Sequence, residues 1–364
     1  MNITINQIPF EYNGKECFVH ARACAVDENN IIMTMQKLNV YGDDLFSPLY
    51  VLKSTDGGKT WTEPVHDSAF TTEIDEDNVR TLGCDGTHLL HSATNTPIVL
   101  GHTVSYKADE LRPLPGFRAD TWYAVYDMQK GQYRTMKIID TPCDIYPDGC
   151  ATGCSQLLEA DNGDLLVPVY IPHGQYYYCA VMRCSFDGID VRFKEMSNEL
   201  SFNIDRGLCE PSLTFYNGKY YLTLRNDRYG LYSVSDDCKT FSAPEIWRWD
   251  TEDILPTYNT QSHWLKCGGK LYLVYTRKAG NNDHVFRNRA PLFMAEVDTD
   301  TMRILRHTEK IVVPERGARL GNFGVTQIND NCALITVTEW MQPVECEKYG
   351  SDNSLWLTKV CWED

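Results

Sequence analysis

Basic residues, long apolar runs and helical periodicity are all scarce in this chain, and each scarcity excludes something. Only 34 Lys and Arg stand against 50 Asp and Glu, a formal charge of −16. Such a surface repels phosphate backbones, so nucleic acid is not an expected partner. Any anion site must instead be made by a few arginines clustered against the overall field. No segment approaches the ~20 apolar residues that span a bilayer. The stretch Met1 to Gln7 has no basic region followed by an apolar run, so no membrane partner and a cytoplasmic location are expected. No linker rich in Pro, Gly or Ser interrupts the chain, which reads as one domain over residues 1–364. No CxxC pair occurs among the 14 cysteines, and they read as reduced thiols rather than a disulfide framework. Cys143, Cys150 and Cys154 form the densest group, but no nearby His completes a zinc set, so no metal is assigned.

Aromatic and β-branched residues are plentiful. Hydrophobic residues make up 43% of the chain, with 21 Tyr, 13 Phe and 8 Trp, enough for a large core. Runs such as Lys219-Tyr220-Tyr221-Leu222-Thr223-Leu224 favour strands. The segment Ser54-Thr55-Asp56-Gly57-Gly58-Lys59-Thr60-Trp61 reads as a β-turn with an aromatic anchor. In it, Ser54 and Asp56 can accept from turn amides, Gly57 and Gly58 tolerate positive φ, and Trp61 returns to the sheet. Asp236-Asp237-Cys238-Lys239-Thr240-Phe241 echoes it, with Val234 and Cys238 standing where Ser54 and Gly58 are; Ser185-Phe186-Asp187-Gly188 keeps the front half.

A strand, a turn rich in Asn, Asp or Gly, and a second strand ending in a polar residue recur six times: 22–36, 88–102, 155–170, 210–225, 261–277 and 322–339. About 61 residues per copy is room for four strands and functional loops. The expectation is an all-β, six-bladed β-propeller of four-stranded antiparallel blades. In such a ring the ends of the two inner strands of every blade meet near the axis. Here those ends carry Arg22, Gln36, His88, His102, Glu210, Arg225, His263, Arg277 and Glu339, and charged groups crowded around one axis must pair or bind something.

The order of these motifs resembles the sialidase superfamily from about Val19 to Thr336, and the turn at Ser54–Trp61 resembles that family's Asp-box. The resemblance implies that the N-terminal residues close the ring by adding a strand near Ser354–Thr358. It also matches His20-Ala21-Arg22-Ala23 to the family's first arginine stretch, although a Pro is missing. Asp43 or Asp44 matches the acid/base. Glu210-Pro211-Ser212 with Arg225 matches the Glu and second arginine, and Arg289-Ala290-Pro291-Leu292 the neighbourhood of the third. Arg22, Arg225 and Arg289 would hold a substrate carboxylate by charge-assisted bonds, and a carboxylic acid of raised pKa would protonate the leaving oxygen. The implied activity is exo-acting hydrolysis of a terminal acidic sugar, sialic or uronic acid, with no organic cofactor.

One departure bears on mechanism. The family's nucleophilic Tyr falls at Phe323, in Gly321-Asn322-Phe323-Gly324. Either Tyr41 or Tyr349 replaces it, or water attacks under Glu210 acting as base. The polar run from Asn281 to Arg289 reads as a loop over the axis. Its His284 and Arg287, with His263, His102 and Arg277, complete the set of candidate catalytic and substrate-binding residues. Trp340 and Tyr176-Tyr177-Tyr178 offer flat faces for a sugar ring. Two rival readings are a polysaccharide lyase, with His or Tyr abstracting a proton next to a neutralised carboxylate, and a silent sugar-binding propeller.

Overall fold

The computed structural model describes residues 1–72 and 74–362. Six antiparallel sheets make six blades, each running from the axis outward. Blade 1 is Glu16–Ala25, Ile31–Asn39, Tyr50–Ser54 and Val65–His66. Blade 2 starts with Val79–His91 and Thr96–Lys107, and blade 3 with the short Leu158–Glu159 and the long Leu165–His173. Blade 4 starts with Cys209–Tyr216 and Lys219–Arg225, blade 5 with His263–Cys267 and Lys270–Tyr275. In blade 6, Gly324–Asn329, Cys332–Thr338 and Leu355–Cys361 are completed by Asn2–Ile8. That last strand pairs Ile8 with Leu355 and Asn2 with Cys361, which closes the ring as expected.

The blades pack face to face, and this explains why the second strands are apolar on both sides. Ile31–Asn39 is buried along almost its whole length. Ile98, Leu100 and Tyr123 of blade 2 interlock with Leu165, Val167 and Met182 of blade 3. Leu265 and Val274 of blade 5 meet Ala333, Ile335 and Val337 of blade 6. Each such aliphatic side chain removed from water stabilises the ring by ~1.5–3 kcal/mol before conformational entropy is subtracted.

The Ser54–Trp61 turn forms as read. Ser54 Oγ accepts from the Gly58 N–H at 2.9 Å, Asp56 Oδ1 accepts from Lys59 and Thr60, and Trp61 Nε1 donates to Gly58 O at 3.1 Å. Gly57 and Gly58 have φ of 71° and 85°. The blade 4 echo is shifted by one residue from the sequence reading. Ser235, not Val234, caps the turn, and Asp237 rather than Asp236 accepts from Lys239 and Thr240.

The cysteines divide. Cys332 and Cys361 form a disulfide across blade 6, which corrects the expectation that all are thiols, and twelve others are free. Cys143, Cys150 and Cys154 do not converge, and no group of three metal-ligating side chains is placed for an ion among the described residues. No helix is long and apolar enough to cross a membrane.

Candidate functional site

The inner strands do not run smoothly to the axis. Pairing slips between Val19 and Arg22 in blade 1, Cys84 and Thr87 in blade 2, and Cys209 and Ser212 in blade 4. At these bulges His20, Asp85 and Glu210 take φ of 58°, 55° and 43°. Cys154 and Asn259, at φ of 51° and 48°, stand just ahead of the inner strands of blades 3 and 5. A left-handed backbone at a residue other than Gly costs ~1–2 kcal/mol, and a bulge re-aims a side chain. Three of these five, Asp85, Glu210 and Asn259, line the floor of a site, and His20 and Cys154 lie behind them.

Above them opens a cavity of about 570 Å³, lined by Asp44, Asp85, His102, Tyr170, Glu210 and Trp340 together with Arg206, Arg225, Arg287, Arg289 and Arg319. Other cavities, of about 320 and 460 Å³, lie elsewhere and gather no such charge.

Glu210 accepts from Arg225 Nη1, and its Oε2 has no partner. Burial alone would raise its pKa; Arg225, with Arg289 beyond, overrides this and holds it below the usual range. Arg225 Nη2 also donates to Asn259 Oδ1 at 2.5 Å. Arg289 donates through Nε and Nη2 to the carbonyl of that same Asn259, at 3.1 and 2.5 Å. The two guanidiniums are therefore yoked side by side through one residue. Arg289 is 4% exposed and makes no ion pair among the described residues. Burial and the neighbouring Arg225 and Arg319 push its pKa well down. Gly321 makes room for it, since a Cβ there would stand 2.5 Å from Arg289 Cδ.

Asp44, at φ 45°, sits on the cavity wall. The surrounding protein and the carboxylates of Asp85 and Asp43 raise its pKa, with Arg319 opposing. Asp43 does not line the cavity. The geometry thus separates the two acids that the sequence left equivalent.

Arg22 occupies a different place from the one expected. The bulge turns His20 toward the axis, and Arg22, two residues on, lies beneath the floor. There it bonds Cys154 Sγ at 3.0 Å and Asp85 at 3.4 Å. It does not line the cavity. Arg277 is likewise excluded, because Glu309 takes its guanidinium through two bonds of 2.8 and 2.6 Å. His263 is wholly buried between Ser212 Oγ, at 2.7 Å, and the Phe323 carbonyl, at 3.1 Å. Desolvation and Arg22 lower its pKa to about 3, so it is a neutral core residue. His284 bonds Glu315 at 2.8 Å and packs on Tyr349, away from the cavity. Tyr41 and Tyr349 also lie outside it, 66% and 46% exposed, and Phe323 is packed edge-on against His263.

His102 and Arg287 line the cavity as read. His102 stands 3.8 Å from Asp85, and burial lowers its pKa against the pull of that carboxylate. The loop carrying Arg287 does reach the cavity. Buried Asn282 folds it by donating to the carbonyls of Arg277 and Ala290 at 2.9 and 2.6 Å.

Asp85, Tyr170, Arg206, Asp227, Asn259 and Arg319 are polar lining residues that sequence reasoning missed. Asp85 joins blades 1, 2 and 3 by pairing with His20 Nε2 at 2.9 Å and accepting from Cys154 Sγ at 3.1 Å. A signal did exist: Gly83 and Gly86 flank it, and a Cβ at either would strike Trp122, at 2.8 and 3.2 Å. Tyr170 carries its phenol into the cavity beside His102, ring centroids 6.3 Å apart. Burial and nearby Glu210 keep that phenol protonated.

No family model matches this sequence, and no curated protein matches it. Solved structures do. A protein of unknown function from Dyadobacter fermentans superposes with a TM-score of 0.68 at 14% identity, over 98% of this chain and 99% of that one. Trypanosoma rangeli sialidase superposes with a TM-score of 0.66 at 16% identity, over 99% of this chain and 59% of that one. A Hadza microbial sialidase gives 0.67 at 11% identity, over 95% and 66%. The chain therefore spans about three-fifths of the length of the trypanosomal protein, and it has a sialidase-like propeller fold.

Proposed function

We propose that this protein is an exo-acting glycoside hydrolase that removes a terminal sugar bearing a carboxylate, sialic acid or a uronic acid. The observation that carries the reading is the pair Arg225 and Arg289, yoked through Asn259 at the floor of an open cavity that also holds two carboxyl groups of opposite pKa tendency. The two guanidiniums grip the sugar carboxylate. Asp44, its pKa raised, gives its proton to the leaving oxygen as the glycosidic bond breaks. Glu210, held ionised, takes a proton from the attacking water. Water attack inverts the anomeric centre. Retention would instead point to Tyr170, the cavity tyrosine, as the attacking group.

A second reading has its own support. His102 and Tyr170 stand together in the same cavity, a pair suited to removing a proton next to a carboxylate neutralised by arginine, which is lyase chemistry. Aryl glycosides and oligosaccharides of sialic, glucuronic and galacturonic acid, followed by proton NMR, separate these readings. Release of a free saturated sugar acid supports hydrolysis. An unsaturated product absorbing in the ultraviolet supports the lyase, and binding without turnover a silent sugar-binding propeller.

A further inference from the structure

Arg225 and Arg289 suffice for one carboxylate, yet the cavity holds two more guanidiniums that no acid neutralises. Arg319 lies in the connection between blades 5 and 6, only 7% exposed. Its Nη2 donates to Gln342 Oε1 at 2.6 Å, its Nε has no partner, and it makes no ion pair among the described residues. It is stacked 4.2 Å from the centre of the Trp340 ring and 4.9 Å from that of Phe286. Gln342 is itself pinned, donating to the carbonyls of Val40 and Gly42, both at 3.0 Å. Arg287 stands 5.0 Å from the same Phe286 ring, held toward the cavity by a left-handed backbone at φ 56°. It too has no ion-pair partner among the described residues.

This pair adjoins the first but is held differently. Arg225 and Arg289 are joined through Asn259, whereas Arg287 and Arg319 are gathered around Phe286. A buried guanidinium with an unfilled N–H is costly unless something occupies it, and aromatic stacking with a fixed amide fork pre-orients it for a tetrahedral or planar oxyanion. We propose that Arg287 and Arg319 form a second anion subsite, so that the substrate is a sugar acid carrying a further anionic group, a sulfate or phosphate ester, on the side facing blade 6. This rests on the reading of the cavity as a sugar-acid site.

Calorimetric titration of the full chain tests it independently of turnover, using glucuronate and N-acetylneuraminate against panels of their mono-O-sulfate and mono-O-phosphate esters. At least one ester is expected to bind tenfold or more tightly than its parent, and the better panel tells sulfate from phosphate. Arg287→Gln, at an exposed position, and Arg319→Gln should each bring the ester-to-parent affinity ratio, measured on the same variant, to about one; melting curves report whether both variants fold. The subsite is overturned if no ester gains tenfold, or if the gain survives both substitutions. Parent binding alone would leave the sugar-acid reading standing without the subsite, whereas failure of every parent and ester to bind would remove both.

Discussion

The two halves of the ring are built from the same residue types but leave their charges in opposite states. On the side of blades 1 to 3, His20, Arg22, Asp85 and Cys154 satisfy one another in a knot that only Asp85 presents to the cavity. On the side of blades 4 to 6, Arg289, Arg287 and Arg319 face open space with no acid attached, whereas Arg225 is matched to Glu210 and Arg206 to Asp227. Both halves use a bulge to turn a polar residue inward. The difference lies in what meets it: Asp85 points at His20, Arg22 and Cys154 already in place, whereas the arginines of the far half outnumber the carboxylates within reach. One half fixes the geometry, and the other is left to capture an anion.

Substitutions on either side should break this contrast in different observables. The largest effect is expected from Glu210→Gln, a fall of about 10³ in kcat/KM on whichever acidic glycoside is turned over. The wild-type pH profile should decline as pH drops through the lowered pKa of Glu210 and as it rises through the raised pKa of Asp44; Asp44→Asn should abolish the alkaline limb. Next, Arg22→Met in the knotted half should cost roughly 3–5 kcal/mol of stability in urea melts, because a buried carboxylate is left undercompensated. Arg289→Met should do the reverse. Its cation is held against burial and like charge, so the melting temperature should hold or rise while KM climbs roughly ten- to a hundredfold, in line with ~1.5–3 kcal/mol for a charged hydrogen bond. An equal loss of stability in both variants would erase the distinction between the halves. Gly321→Ala, which pushes on Arg289 Cδ, should raise KM by a smaller factor, about threefold to tenfold, with kcat little changed. The smallest effect is expected far from the axis. The pKa of Asp56 is lowered to about 2 by Thr60, so its contribution is present above the ordinary Asp value and fades as pH falls toward 2. Asp56→Ala should lower the melting temperature slightly at pH 7 and flatten its decline across that acid window.

The blades were legible because their turns are written in local chemistry. Asn217-Gly218 and Asp161-Asn162-Gly163 mark hairpins wherever they occur, and alternation did the rest. Glu210, Arg225, Arg289, His102 and Arg287 were legible because each sits at a strand end or in a polar loop aimed at the axis. The bulges were not. A one-residue slip leaves composition and spacing unchanged but exchanges which side chain faces inward, and that is why Arg22 was read where His20 stands. Arg277 and His263 were read into the site for another reason: the partners that take them out of it, Glu309 and the Phe323 carbonyl, are distant in sequence. Arg319 lies outside any strand pattern, in Gly317-Ala318-Arg319-Leu320, and only its stacking on Trp340 and Phe286 marks it out.

Asn2–Ile8 finds its mate in Leu355–Cys361, and this has a consequence for biosynthesis. A ribosome delivers the first of these segments about 350 residues before the second, roughly twenty seconds to a minute earlier at ordinary elongation speeds. Throughout translation the opening segment is an orphan edge, and five nascent blades must wait as an arc. The circle can be locked only after Leu355–Cys361 has left the exit tunnel.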